Sequence, residues 1–119
     1  MEMRVLIVDD HASFRRLATR MLHEAGFDVV GEAADAAEAL NQAARLQPDV
    51  VLLDIVLPDA TGLAVAQELA ARPSPPRVIL TSSRSRSDFG SSFDWPTGCD
   101  FVPKHELNGA GLAAMLAVS

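Results

Sequence analysis

The chain has 119 residues, of which 49% are hydrophobic, enough for one domain with a real core. No apolar run approaches the roughly 20 residues needed to cross a bilayer, and the formal net charge of −6 argues against direct binding of nucleic acid, whose phosphates need a basic face. The single Cys99 excludes an internal disulfide and, with an N-terminus that carries no signal-peptide pattern, fits a reducing cytoplasm.

Strand-like and helix-like segments alternate, which predicts a parallel sheet covered by helices on both faces. Strand one is expected over 3–8. Helix one follows over 12–25, with Phe14, Leu17, Ala18, Met21, Leu22 and Ala25 at helical spacing and Gly26 as its stop. Strand two covers 28–33. Asp35 then caps an Ala-rich helix two, with Glu38 three residues on as in a capping box, and Pro48 lies just beyond its end. Strand three is 49–53, helix three runs from Gly62 to about residue 71, and strand four is 77–81. Residues 82–98 are rich in Ser, Gly and Pro, which disfavour helix interiors. Phe89, Phe93 and Trp95 are too few for a long amphipathic stripe, so a short helix near 87–94 of low local stability is expected, and a weak dimer face. Strand five is 99–103 and the last helix 106–117. No repeat, linker or second domain is expected within 1–119.

Five parallel strands in a doubly wound order bring several carboxyl ends together, where open α/β sheets bind ligands. Asp9 and Asp10 follow strand one, Asp54 closes strand three, Thr81 ends strand four and Lys104, the only lysine, follows strand five. Carboxylates at one edge suit a hard cation such as Mg²⁺, which takes carboxylate oxygens, phosphate and water. A strand-end aspartate can attack phosphorus to form an acyl phosphate. Thr81 offers a hydroxyl and Lys104 an ammonium to the added charge. Each residue alone has an ordinary reading as a cap, turn-former or solvated charge; their coincidence at four strand ends carries the functional one. His11, His23 and His105 show no metal-ligand spacing and read as surface or capping residues. Cys99 reads as a strand-edge residue, and Trp95 as local packing.

Over essentially its whole length the chain resembles the receiver domains of two-component response regulators, the CheY-like family. The resemblance rests on Val8-Asp9-Asp10, on Leu53-Asp54-Ile55-Val56-Leu57-Pro58-Asp59-Ala60-Thr61-Gly62-Leu63, on Leu80-Thr81-Ser82 and on Phe101-Val102-Pro103-Lys104. It implies a flavodoxin-like five-stranded sheet of order 2-1-3-4-5. It also implies a phosphorylation switch in which Asp54 accepts a phosphoryl group from a histidine kinase or phosphotransfer protein. Asp10, Asp54 and the Val56 carbonyl would hold Mg²⁺ directly, Asp9 largely through water. Thr81 and Lys104 would hold the phosphoryl group, and Thr81 with Phe101 would form the switch. Gly31-Glu32-Ala33 and Val102–Leu107 are similar to receivers that precede LuxR-type output domains.

The expected partners are therefore the kinase, a second copy of the chain or a downstream output domain, with neither nucleic acid nor membrane. The chain is expected to be a signalling domain and not an enzyme, and Lys104 to act on the phosphoryl charge rather than on the core. Two alternatives stand beside this reading: a degenerate receiver working as a phosphate-independent interaction module, and an Asp-nucleophile phosphatase. The phosphatase would need an acid two residues after Asp54, where Val56 stands. A nucleotide-binding flavodoxin-like module would want a Gly-rich turn where Asp9-Asp10-His11 lies.

Overall fold

The computed structural model describes residues 2–90, 93, 95–96 and 98–117. Five strands, β1 (Arg4–Val8), β2 (Asp28–Ala33), β3 (Val50–Asp54), β4 (Arg77–Ser82) and β5 (Asp100–Pro103), form one sheet of order β2-β1-β3-β4-β5, parallel throughout. Val50–Leu53 is buried on both sides, as a central parallel strand should be.

The side chains of each strand alternate between two cores. Val5, Ile7, Val50, Leu52 and Ile79 face α1 (Ala12–Glu24) and α4 (Gly109–Ala117), which contribute Ala18, Leu22, Leu112 and Leu116. Leu6, Val8, Val51, Leu53, Val78 and Leu80 face α2 (Ala36–Leu46) and α3 (Gly62–Ala70), which contribute Ala36, Ala39, Ala43, Val65, Ala66 and Leu69. The doubly wound architecture with helices on both faces is therefore the one expected from the strand–helix alternation.

Local chemistry sets the helix ends. Asp35 accepts the Glu38 amide at 2.8 Å, as expected, but the Glu38 carboxylate reaches back to the Ala34 amide at 3.3 Å rather than to the cap residue itself. Asp59, from the loop after β3, adds a second cap by accepting the Ala36 and Ala37 amides at 2.8 and 3.0 Å. Those two bonds hold its carboxyl below the ordinary value.

Two expected helices differ. The last one begins at Gly109, not 106: Lys104–Glu106 forms a 3₁₀ turn, and the Asn108 side chain then accepts the Gly111 amide at 2.6 Å, the preferred chemistry of a helix start. The helix expected near 87–94 is a single 3₁₀ turn over Arg86–Phe89, closed by Gly90 at φ 80°. Residues 91, 92 and 94 of that expectation lie outside the described residues. The aromatic side chains here build a cluster in place of a helical stripe. Phe89, Phe93, Trp95 and Phe101 stack edge to face or tilted, with centroids 4.6–5.9 Å apart.

The turn between β3 and α3 decides where Asp54 sits. The Gly62 amide donates to the Ile55 carbonyl at 2.7 Å, Val56 bridges to Thr61, and the Thr61 hydroxyl caps α3 at the Ala64 amide. A Cβ on Gly62 would lie 2.9 Å from the Ile55 Cα and would overlap the Asp54 carbonyl oxygen. Gly62→Ala is expected to lower stability by about 1–3 kcal/mol through overpacking. A urea titration checks this, and a wild-type midpoint would show that the turn can yield.

Candidate functional site

The period of two that builds the core also builds the site. On the α1–α4 side, β1 buries Val5 and Ile7, and the next residue in that series is Asp9. On β3 the series is Val50, Leu52, Asp54; on β4 it is Ile79, Thr81; on β5 it is Val102, then Lys104. Register aligns them: Val8 pairs with Leu53, Asp54 with Thr81, and Thr81 with Val102. Each strand thus adds one polar residue to the same face, one step beyond its last apolar one.

Burial is extreme for such groups. Asp9 is 0% exposed, Asp54 4% and Thr81 1%. The Lys104 ammonium lies between the two carboxylates, 2.6 Å from Asp9 Oδ2 and 3.1 Å from Asp54 Oδ2. Its other flank rests 4.5 Å from the centroid of the Phe14 ring, a cation–π contact from α1. The main chain completes the set. The Val56 amide donates to Asp54 Oδ1 at 3.1 Å, and the His11 amide to Asp9 Oδ1 at 2.8 Å. Arg15 donates to the Asp9 carbonyl at 2.6 Å while it pairs with Glu32 at 3.0 Å.

These surroundings separate the two acids. Burial pushes the Asp54 carboxyl above its ordinary value, and the neighbouring Asp9 charge adds to this, against the Val56 amide and Lys104. Burial works on Asp9 too, but the Lys104 ammonium and the His11 amide outweigh it and hold that carboxyl below the ordinary value. Burial alone would lower the Lys104 ammonium; its contacts with Asp9 and Asp54 raise it instead. Asp9 therefore owns the lysine, and Asp54 is the acid left under-compensated.

Asp9, Asp10, Asp54 and Lys104 come together as expected, and Thr81 lies on the same face. Asp10 is at the rim, with a 38% exposed side chain. Val56 follows Asp54 with its side chain turned outward, 67% exposed. Phe101 belongs elsewhere: it packs among the partly buried residues of the opposite, α2–α3 core, beside Trp95 and Phe89. Three contributors escaped sequence reasoning. His11 begins α1 without a side-chain cap bond, and its Nδ1 sits 3.1 Å from Asp9 Oδ1 and 3.0 Å from Asp10 Oδ1. Phe14 and Arg15 also read as ordinary helix residues, because their roles depend on where α1 crosses the strand ends. Lys104 is tied to the fold more tightly than its place after a strand suggested.

One buried group has no partner among the described residues: the Thr81 hydroxyl oxygen. An orphaned buried hydroxyl costs about 1–3 kcal/mol, and such exceptions in native structures call for a ligand or water. Three carboxylates, an ammonium and an unsatisfied hydroxyl on one face fit a phosphoryl group and a hard cation together.

A family model described as the response regulator receiver domain matches residues 5–110. The chain belongs to the response regulator receiver domain family. It is 38% identical over 107 residues to a protein-glutamate methylesterase/protein-glutamine glutaminase of Alkalilimnicola ehrlichii, covering 87% of this chain and 27% of that protein. The solved signal receiver domain described as that of the response regulator NarL from Mycobacterium tuberculosis superposes with a TM-score of 0.80 at 31% identity, covering 98% of this chain and 94% of that one. A two-component response regulator of the LuxR family from Aurantimonas superposes with a TM-score of 0.78 at 26% identity, covering 98% and 84%. The chain spans less than a third of the length of the first curated relatives it matches. Among the described residues no helix is long and apolar enough to cross a membrane.

The split acids give a pH signature. Asp9, with its carboxyl lowered, contributes stability that is present above the ordinary value of 3.8 and lost as pH falls through its depressed one. Asp54, raised from 3.8, acts in the opposite sense: the folded state holds its proton more tightly, so its ionisation costs stability as pH rises. In metal-free buffer at neutral pH, Asp54→Asn is expected to raise the melting temperature, and the gain should vanish in acid, where Asp54 is protonated. Thermal melts of both proteins across pH 3–8 (a range of about five units) check the sign. A lower neutral melting temperature for the variant would contradict the charge balance described here.

Proposed function

We propose that the chain is a phosphorylation-activated switch of a two-component system, with Asp54 as phosphoacceptor. The observation that carries this reading is the Lys104 ammonium shared between Asp9 and Asp54 beside the orphaned Thr81 hydroxyl. The donor would be a histidine kinase or phosphotransfer protein, the setting the cytoplasm, and the receiver unit residues 1–119.

In the transfer, an Asp54 carboxylate oxygen bonds to phosphorus as the bond from phosphorus to the donor imidazole nitrogen breaks, and the leaving imidazole takes up a proton. Asp9, Asp10, Asp54 and the Val56 carbonyl would hold Mg²⁺, which supplies charge neutralisation to the transferring oxygens. The Thr81 hydroxyl donates to one phosphoryl oxygen. Lys104 exchanges part of its contact with Asp54 for another, which relieves the surplus negative charge. Asp9 keeps its ionised form throughout because its carboxyl is held low. The chain is then a signalling domain that catalyses its own phosphorylation, and not an enzyme acting on other molecules.

Output remains with a partner: a second copy or an attached domain. Phe101, which pairs with Leu80, the residue before Thr81, and packs on Trp95, is the switch aromatic of this reading. The intact acid pair, Asp54 and Lys104 weigh against a phosphate-independent module, and Val56 against a phosphatase.

Incubation with acetyl phosphate and Mg²⁺ is expected to add one phosphoryl mass, about 80 Da by the composition of the group. The gain should be lost in Asp54→Ala or when the cation is chelated. An equal gain in Asp54→Ala would remove the assignment. The lifetime of the product is expected to be long, because the exposed Val56 side chain is apolar and cannot orient an attacking water. Val56→Asn should shorten it, by up to about 10²-fold if the new amide positions that water well. Decay followed by phosphoprotein gel or mass spectrometry measures this, and an unchanged rate would assign water control to another residue.

A further inference from the structure

We infer that His11 is an added nitrogen ligand of the strand-end cation site, so that this side chain raises the affinity of the site for borderline ions such as Co²⁺ or Ni²⁺ far more than for Mg²⁺. This rests on the reading of Asp9, Asp10 and Asp54 as a cation site, and concerns which ions the site selects.

The argument begins with spacing. Ligands about 2.1 Å from an octahedral ion lie about 3.0 Å apart when adjacent and about 4.2 Å apart when opposite. The His11 Nδ1 is 3.0 Å from Asp10 Oδ1 and 3.1 Å from Asp9 Oδ1, the separation of adjacent ligands to both. One ligand atom each from Asp9, Asp10, His11 and Asp54 lies within 4.8 Å of every other, a spread wider than the separation of opposite ligands, about 4.2 Å, so the side chains would draw inward around an ion. The second observation is the orphaned Thr81 hydroxyl, 1% exposed and on the same face as Asp54, which marks this face as built for a bound group.

The imidazole is also free to take this role. Its side chain is 66% exposed, so a cation can displace the proton that Nδ1 shares with the two carboxylates, and Nε2 then carries the ring proton toward water. The His11 backbone amide is fixed on Asp9 Oδ1 at 2.8 Å and α1 begins at the next residue, so the ring is positioned by the same turn that presents the two acids. His23 and His105 offer no such set among the described residues.

Ligand chemistry then decides selectivity. An all-oxygen site favours Mg²⁺, whereas an imidazole favours later first-row ions, whose affinity for a given site already rises along the series. Loss of a group that only orients a metal ligand costs about 10–100-fold in affinity, so loss of a direct nitrogen ligand should cost Co²⁺ at least about tenfold. Mg²⁺, which gains little from nitrogen, should change far less.

The test is calorimetric titration of the whole chain with Co²⁺ and with Mg²⁺, in wild type, His11→Ala and His11→Asn. Asp54→Asn identifies the site, and competition between the two ions shows that they share it. The expected result is a fall of about tenfold or more in the ratio of Co²⁺ to Mg²⁺ affinity in both His11 variants. An unchanged ratio in either variant overturns the inference, and so does an equal loss for both ions, which would mean that the turn had merely been disturbed. If the wild type binds neither ion at a site sensitive to Asp54→Asn, the cation-site reading itself fails. Mg²⁺ binding with an unchanged ratio removes only the role of His11.

Discussion

The structure turns on one ammonium held between two buried carboxylates. Lys104 reaches Asp9 and Asp54 from the end of β5, across the width of three strands. Taking these charges out of water is expensive, and breaking such a buried pair typically costs roughly 3–5 kcal/mol. The arrangement survives because backbone amides, Arg15 and the Phe14 ring supply further contacts. It leaves the site with three carboxylates against a single ammonium. That surplus negative charge is what makes the face receptive to a cation, and what a bound phosphoryl oxygen would further perturb.

The surplus exists because the sheet alternates. Each strand points every second side chain at the α1–α4 core, and α1 and α4 cover that face only as far as Ile7, Leu52, Ile79 and Val102. The next residue on each strand lies at the rim of that helical cover, flanked by neighbouring strands and, at Asp9 and Lys104, by Arg15 and Phe14 of α1. A polar group there is buried from the sides and open at the end, the geometry that lifts the Asp54 carboxyl while leaving it reachable. Gly62 permits the tight turn that returns the chain after Asp54. Asp59 ties that same turn to the start of α2 through two amide bonds. A change at Asp54 therefore has a short mechanical route to α2 as well as to β4 and β5.

On the opposite face, the region between β4 and β5 is organised by aromatic contact. Phe89, Phe93 and Trp95 gather over Phe101, beside a groove whose other wall is Leu63, Ala66 and Ala70 of α3. Aromatic pairs of this kind contribute about 0.5–1.5 kcal/mol each beyond their burial, which anchors a segment that has little helix of its own. Phe101 is thus held by neighbours on the side away from Asp54. Any signal reaching it must pass through β4 and β5 rather than through direct contact.

Much of this was legible in the chain itself. The near-continuous apolar runs Val5–Val8, Val50–Leu53 and Val78–Leu80 located three strands, and the strand–helix alternation the other two, because a buried parallel strand leaves no polar position until it ends, and the polar residue that ends it is then conspicuous. Asp9, Asp54, Thr81 and Lys104 were visible for that reason, as were the caps at Asp35 and Gly26. What composition could not convey was anything that depends on two segments crossing. The 3₁₀ turn at Lys104–Glu106 and the start of α4 at Gly109 follow from the Asn108 cap, a local contest that helix propensity alone does not decide. The aromatic cluster stood in a stretch that reads as polar loop, since its partner Phe101 lies on another strand. The division of protons between Asp9 and Asp54, the ring of Phe14 under the ammonium and the imidazole of His11 against two carboxylates were set only when the sheet and α1 packed. Sequence order fixes what each strand end offers; only the tertiary structure fixes how far apart those ends lie, and electrostatic coupling is a function of distance.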